Sequence, residues 1–120
     1  MPRLVRDAMT LNPRTLQPTA SVVQAACVME EEDVGALPVV QHDQVLVGIV
    51  TDRDIALGVV AAGRDPKTTA VGEILTAGPM AAEPEEPLDQ ALEQIVFSGV
   101  CPLPVVEDDR VVGVVDEDAQ

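Results

Sequence analysis

Apolar residues recur at helical spacing twice along this chain, at Val22, Ala25, Ala26 and Met29 and again at Leu88, Ala91, Leu92, Ile95 and Val96. Each stripe predicts a helix with one face turned inward. The first opens on Ser21-Val-Val-Gln24, a capping-box pattern; the second carries Pro87 in the Ser21 place, suited to a first helical turn, and stops at Gly99. A short extended piece precedes each helix, over 14–17 and 80–83, and ends at Pro18 or Pro84. Two β-branched runs follow the first helix, 37–40 and 45–50, with polar turn residues 41–44 between them, and the same hairpin pattern surrounds 107–110. Unbroken valines predict strands buried on both faces, under a layer of helices. Thr51-Asp-Arg-Asp54 then opens a helix to about Ala62, with Gly63 as its stop.

These parallels amount to an internal repeat. A shift of 66 positions places Val5 on Val71, Thr10 on Thr76, Pro13 on Pro79, Pro18 on Pro84 and Gln24-Ala25 on Gln90-Ala91. Leu37-Pro-Val-Val40 then meets Leu103-Pro-Val-Val106 without a mismatch, and after a one-residue deletion Val47-Gly-Ile-Val50 meets Val112-Gly-Val-Val115. The organisation is a first unit over 1–63, a linker over 64–70 and a second unit over 71–120. At 120 residues neither half can bury a core separately, so a shared core is expected.

Composition removes several function classes. With one Phe and no Trp or Tyr the core is aliphatic, and no aromatic platform is available for stacking bases. Seven basic against 21 acidic residues give a net charge of −14, which argues against nucleic acid and anionic membrane surfaces as partners. No apolar stretch reaches a membrane span and the first residues do not lead into a signal-peptide core, so a cytoplasmic protein is expected. Cys27 and Cys101, with only His42 beside them, make neither a disulfide framework nor a zinc site. No catalytic constellation is evident: His42 falls in a turn with no orienting partner, and neither a Walker nor a dinucleotide motif is present. The acidic runs 30–33 and 107–109 read as solvated faces, and no metal ligand set or obligatory cofactor is assigned.

The order strand, helix, strand, strand, helix, with Leu37-Pro-Val-Val40 on the second strand and Gly48-Ile-Val-Thr51-Asp-Arg-Asp54 at the exit of the third, resembles the CBS domain family over essentially the whole chain. The resemblance implies an α/β (α+β) fold: two β-α-β-β-α units packed about a pseudo-twofold axis as a tandem pair, or Bateman module. Such pairs commonly associate into disc-shaped homodimers. The stretch Ala61-Ala-Gly-Arg-Asp-Pro66, with Val71-Gly-Glu73 after it, looks like stand-alone bacterial CBS proteins of the hypoxic-response type. The family is regulatory rather than catalytic and often binds adenosyl compounds (AMP, ADP, ATP or S-adenosylmethionine) between its units. On that likeness Thr51, Asp52, Arg53 and Asp54 would form the ribose and phosphate side, with Asp54 on the ribose hydroxyls and Thr51 and Arg53 on the phosphate, and Thr15, Ala36, Leu37 and Pro38 would flank the adenine.

The same residues carry a plain structural reading as well. Thr51 is an ordinary N-cap, and aspartates in a first helical turn suit the helix dipole without any ligand. The second copy departs from the motif. Gly113-Val-Val-Asp116-Glu-Asp-Ala119 has Asp for Thr and Ala for the ribose-binding Asp, so at most one intact adenosyl site per chain is expected. The second unit is also expected to lack its last helix, since the sequence stops at Gln120 where the first copy continues. A ligand-free dimerisation or stress-response role remains the alternative to ligand sensing, and nothing in the sequence identifies a regulated protein.

Overall fold

The structure, a computed structural model, describes residues 3–78 and 80–118, which leaves Pro79 of the repeat and Ala119 of the second motif outside the described residues. In chain order the elements are α1 (Val5–Ala8), β1 (Thr10–Leu11), α2 (Val22–Glu32), β2 (Ala36–Val40), β3 (Leu46–Thr51), α3 (Asp52–Ile55), β4 (Thr76–Ala77), α4 (Leu88–Ser98), β5 (Leu103–Glu107) and β6 (Arg110–Val115). They form two antiparallel three-stranded sheets, β2-β3-β4 and β1-β6-β5. The outer strand of each sheet is therefore donated by the other half of the chain: Thr76 pairs with Ile49, and Thr10 with Val114.

The extended pieces add one parallel bridge to each sheet. Leu16 N–H donates to Pro38 O and receives Val40 N–H (3.0 and 2.8 Å), and Ala82 does the same with Pro104 and Val106 (2.9 and 2.8 Å). These are the same bonds displaced by 66 residues. So are Val22 N–H to Thr69 O (2.9 Å) and Leu88 N–H to Arg3 O (2.8 Å), which tie the segment before each crossing strand to the start of a helix in the opposite half.

Two core clusters result, where a single shared one was expected. Leu16, Val22, Ala25, Val28, Met29, Leu37, Val39, Val50 and Val59 gather with Val71 in one, against Ile74 and Leu75. Leu88, Ala91, Ile95, Leu103, Val105 and Val115 gather with Val5 in the other, against Ala8 and Met9. Neither unit has enough apolar surface of its own to cover its sheet, and the segment leading into the opposite unit supplies the rest.

The helices match expectation in place but not in every buried position. Ser21 Oγ accepts Gln24 N–H (3.1 Å), and α4 ends on Gly99 at φ 73°, the left-handed stop that glycine adopts without strain. Val28 is buried where Ala26 was expected, and Val96, expected inward, is 83% exposed. At about 100° per residue, Val96 lies roughly a third of a turn away from the face shared by Leu88, Ala91 and Ile95. β2 is buried along its whole length, as the valine run predicted. The helix opening at Thr51 widens after Ile55 into a π-type turn over Ala56–Val60 and closes near Gly63 at φ 71°. Beyond β6 the described chain makes only a turn, in which Asp116 Oδ1 accepts Asp118 N–H (3.0 Å).

Candidate functional site

Gly48 is the first residue of the Gly-x-x-Thr-x-x-Asp motif, and the fold requires it. A Cβ there would stand 2.6 Å from the carbonyl oxygen of Thr76. Only a glycine lets the donated strand β4 lie against β3, which brings Thr76 over the helix start that follows. Gly113 has the same relation to Thr10, at 2.8 Å.

At that helix start Thr51 Oγ1 accepts Asp54 N–H (3.0 Å), and Asp54 Oδ2 accepts Thr51 N–H (2.9 Å), a reciprocal capping box. The other carboxylate oxygen, Oδ1, accepts the Thr76 hydroxyl from the opposite half at 3.4 Å. Asp54 is thus half-buried and joined to both halves, while Asp52 and Arg53 are exposed. Asp52 N–H donates to Gly35 O (3.0 Å). Arg53 and Asp54 line a groove of 360 Å³ with Leu57, Gly58, Arg64, Glu73 and Ile74. Arg64 bonds Glu73, whose carboxyl is held below its usual range first by Ala70 N–H and then by that guanidinium.

None of Thr15, Ala36, Leu37 and Pro38 lines this groove. Thr15 is half-buried and Pro38 buried, while Ala36, although the sheet partner of Thr51, lines a different cavity with Leu37. That cavity, of 190 Å³, is closed by Thr10, Pro13 and Arg14 on one side and Pro102, Val114 and Asp116 on the other. Each of the two hollows combines residues next to the β3 or β6 motif of one half with the leading segment of the other. The expected ribose-side residues Arg53 and Asp54 and the expected adenine-side residues Ala36 and Leu37 thus line different hollows. Sequence reasoning passed over Thr76 and Thr10 although the 66-residue shift equates them, because it paired each motif with its own half.

The second cleft is acidic. Its cavity adjoins another of 270 Å³, lined by Asp33, Val34, Gly35, Cys101, Pro102, Asp116, Glu117 and Asp118. Burial, and then the negative charges of Glu117, Asp116 and Asp118, push the Cys101 thiol above its usual pKa, against a lowering contribution from a Glu117 backbone hydrogen bond. Less thiolate is present at a given pH, and the thiolate is the nucleophile. Iodoacetamide at pH 8 is expected to label exposed Cys27 several-fold faster than Cys101, with the ratio falling toward unity in denaturant, read by peptide mass spectrometry. Equal rates in the native protein would contradict the partial burial of Cys101. Among the described residues no three His, Cys, Asp or Glu side chains are grouped to hold a metal ion, and no helix is long and apolar enough to cross a membrane.

Two repeated units that complete each other's sheet define a tandem module. The chain belongs to the CBS domain family, whose model matches residues 5–60 and 71–119. It is 37% identical over 111 residues to the CBS domain-containing protein YhcV of Bacillus subtilis, covering 92% of this chain and 78% of YhcV. Hypoxic response protein 1 of Mycobacterium tuberculosis is 33% identical over 93% of this chain and 78% of its own length. A crystal structure of Hypoxic Response Protein I, with two coordinated zinc ions, superposes with a TM-score of 0.85 at 32% identity, covering 96% of this chain and 93% of that one. The CBS domain pair of protein MJ0100, in complex with 5′-methylthioadenosine and S-adenosyl-L-methionine, superposes with a TM-score of 0.84 at 30% identity, over 98% and 92% of the two chains.

Proposed function

We propose that this chain is a non-catalytic regulatory module that binds an adenosyl compound (AMP, ADP, ATP or S-adenosylmethionine) at the cleft entered by Thr51, Asp52, Arg53 and Asp54. The observation that carries the reading is Asp54, a carboxylate presented at a helix start and bridged to Thr76 of the other half. A ribose diol can replace the single long bond from the Thr76 hydroxyl with two donors, and the phosphate side would meet Arg53 and the first-turn N–H groups. The MJ0100 complex supports adenosyl chemistry in a CBS pair of this shape. Because the site joins both halves, a ligand that prefers one arrangement of them shifts the equilibrium, which is all that regulation requires.

A homodimer is part of the proposal, and through it an as yet unnamed regulated protein would sense the ligand. Its support is the exposure of Val96 (83%) and Phe97 (87%) on α4, where the first copy carries Glu30 and Glu31. The same patch favours the second reading, a ligand-free dimerisation or stress-response protein. Two free cysteines fit a reducing compartment, so we place the protein in the cytoplasm.

The test is a thermal-shift series with AMP, ADP, ATP with and without Mg²⁺, and S-adenosylmethionine, on the wild type and Asp54→Ala, with light scattering on the same samples. A ligand at a hundred times its Kd adds about 2.7 kcal/mol, a rise of several degrees. Asp54→Ala is expected to lower the ligand-free Tm through loss of the cap, about 1 kcal/mol, and to abolish the rise. Dimers with no rise for any of these compounds would leave the assembly reading in its place.

A further inference from the structure

Two carboxylates line the Asp54 groove, and each is fixed to the main chain by one oxygen and extends the other. Asp54 Oδ2 accepts Thr51 N–H, and its Oδ1 takes the Thr76 hydroxyl. Glu73 Oε2 accepts Ala70 N–H (2.9 Å), and its Oε1 takes the Arg64 guanidinium. Arg64 reaches this place because Gly63, at φ 71°, turns the chain back at the helix end, where Arg64 N–H donates to Val59 O (2.9 Å). Arg53 lines the same groove, and among the described residues it makes no ion pair.

The turn that carries Glu73 does not need this ion pair. The 66-residue shift places Asp7 on Glu73, and Asp7 Oδ2 accepts Leu4 N–H (3.0 Å) as Glu73 accepts Ala70 N–H. That copy of the cap stands without a guanidinium on its carboxylate, since Arg3 donates to the Asp7 main-chain oxygen (3.4 Å) and Arg6 to Glu85. The Arg64 and Glu73 pair lies beside the copy of the motif that keeps both Thr51 and Asp54. Its two side chains are 38% and 48% exposed, so salt screens the pair and little holds it closed.

We propose that Arg64 is a second phosphate-reading group of the Asp54 groove, held in reserve by Glu73, and that this pair sets how strongly the groove prefers a diphosphate to a monophosphate. The inference rests on the adenosyl reading above and adds the residues that discriminate within it. A single phosphate is served by Arg53 and the first-turn N–H groups. A second phosphate extends the charge along the groove, where the Arg64 guanidinium can take it with two parallel N–H bonds. Glu73 is anchored through its other oxygen to Ala70 N–H, so Arg64 leaves it behind. The carboxylate is then a competitor for the guanidinium, and it weakens the response to the added phosphate without closing the groove.

ADP and AMP differ by one phosphate, so the ratio of their affinities reads that phosphate alone. Titration calorimetry on the full chain without Mg²⁺ gives the ratio for the wild type, Glu73→Gln, Arg64→Gln and the double variant. Glu73→Gln keeps an oxygen to accept Ala70 N–H, so the turn survives, and it is expected to raise the preference for ADP about fivefold by freeing Arg64. Arg64→Gln should lower that preference about fivefold. In the Arg64→Gln background the further change Glu73→Gln should leave the ratio where it is, because the carboxylate then has nothing to withhold. A purely structural effect would move both nucleotides together and leave every ratio equal, which overturns the proposal. So does a Glu73→Gln effect that persists without Arg64. If the wild type binds S-adenosylmethionine but neither nucleotide, the phosphate reading fails while the adenosyl reading stands. If no adenosyl compound binds the wild type, both fall.

Discussion

Gly48→Val is expected to destabilise the folded chain by about 3 kcal/mol, the upper part of the range for overpacking a closed site. The obstruction is main chain: an added Cβ meets the Thr76 carbonyl oxygen at 2.6 Å and Leu75 Cδ1 at 2.8 Å. A side chain can rotate away, but Thr76 O belongs to the strand that pairs with β3, so relief means losing the pairing of Gly48 with Ala77 and Ile49 with Thr76. Against roughly 6–18 kcal/mol for a domain of this length, that is a large fraction. Urea unfolding would report the loss, and amide exchange at Thr76 and Ala77 would rise ahead of the rest. The same change should release Asp54 Oδ1 from the Thr76 hydroxyl and weaken ligand binding at the Asp54 cleft. A midpoint unchanged within about 0.5 kcal/mol would show that the strand crossing tolerates a side chain, and that the motif glycine has another purpose.

The sequence carried the local elements well because their signals are local. Ser21 before an apolar stripe, Gly99 and Gly63 after helices, and two-residue turns such as Asp108-Asp109, both at positive φ, state their geometry within a few residues. What it concealed is which half each leading segment joins. Val5 and Val71 are both fully buried, yet nothing near either residue says that Val5 packs with Ile95 and Val71 with Met29. That is settled by tertiary packing of sheets that each lack an outer strand. The surroundings of the motif depend on it: Asp54 bonds Thr76 of the opposite half, while Thr15, Ala36, Leu37 and Pro38 of its own half lie outside the groove that Arg53 and Asp54 line. The charge contrast between Thr51-Asp-Arg-Asp54 and Asp116-Glu-Asp is legible in the sequence, whereas the cavity that brings Asp116 together with Arg14, Ala36 and Leu37 requires the fold.

Val71→Ala tests the crossing directly, because the residue belongs to the second copy by sequence and to the first core by position. It has no exposed surface, and removing two buried methyl groups is expected to cost about 2 kcal/mol. The informative quantity is where the loss is felt. Native-state hydrogen exchange resolves sub-global openings, and the substitution should raise exchange first in α2, whose Val22, Ala25 and Met29 share the cluster, and not in α4. Val5→Ala should do the reverse, loosening α4 around Leu88, Ala91 and Ile95 while α2 keeps its protection. If Val71→Ala loosened α4 instead, each leading segment would pack on its own half, and the clefts that combine residues of both would be lost with the crossing. On the proposed reading, the same crossing would let a ligand in the Asp54 cleft act on the whole module. Thr76 follows Val71 on the same crossing segment, so a ligand that moves Thr76 away from Asp54 pulls on a strand whose root lies in the first core and whose continuation, through residues 80–83, runs into the second sheet.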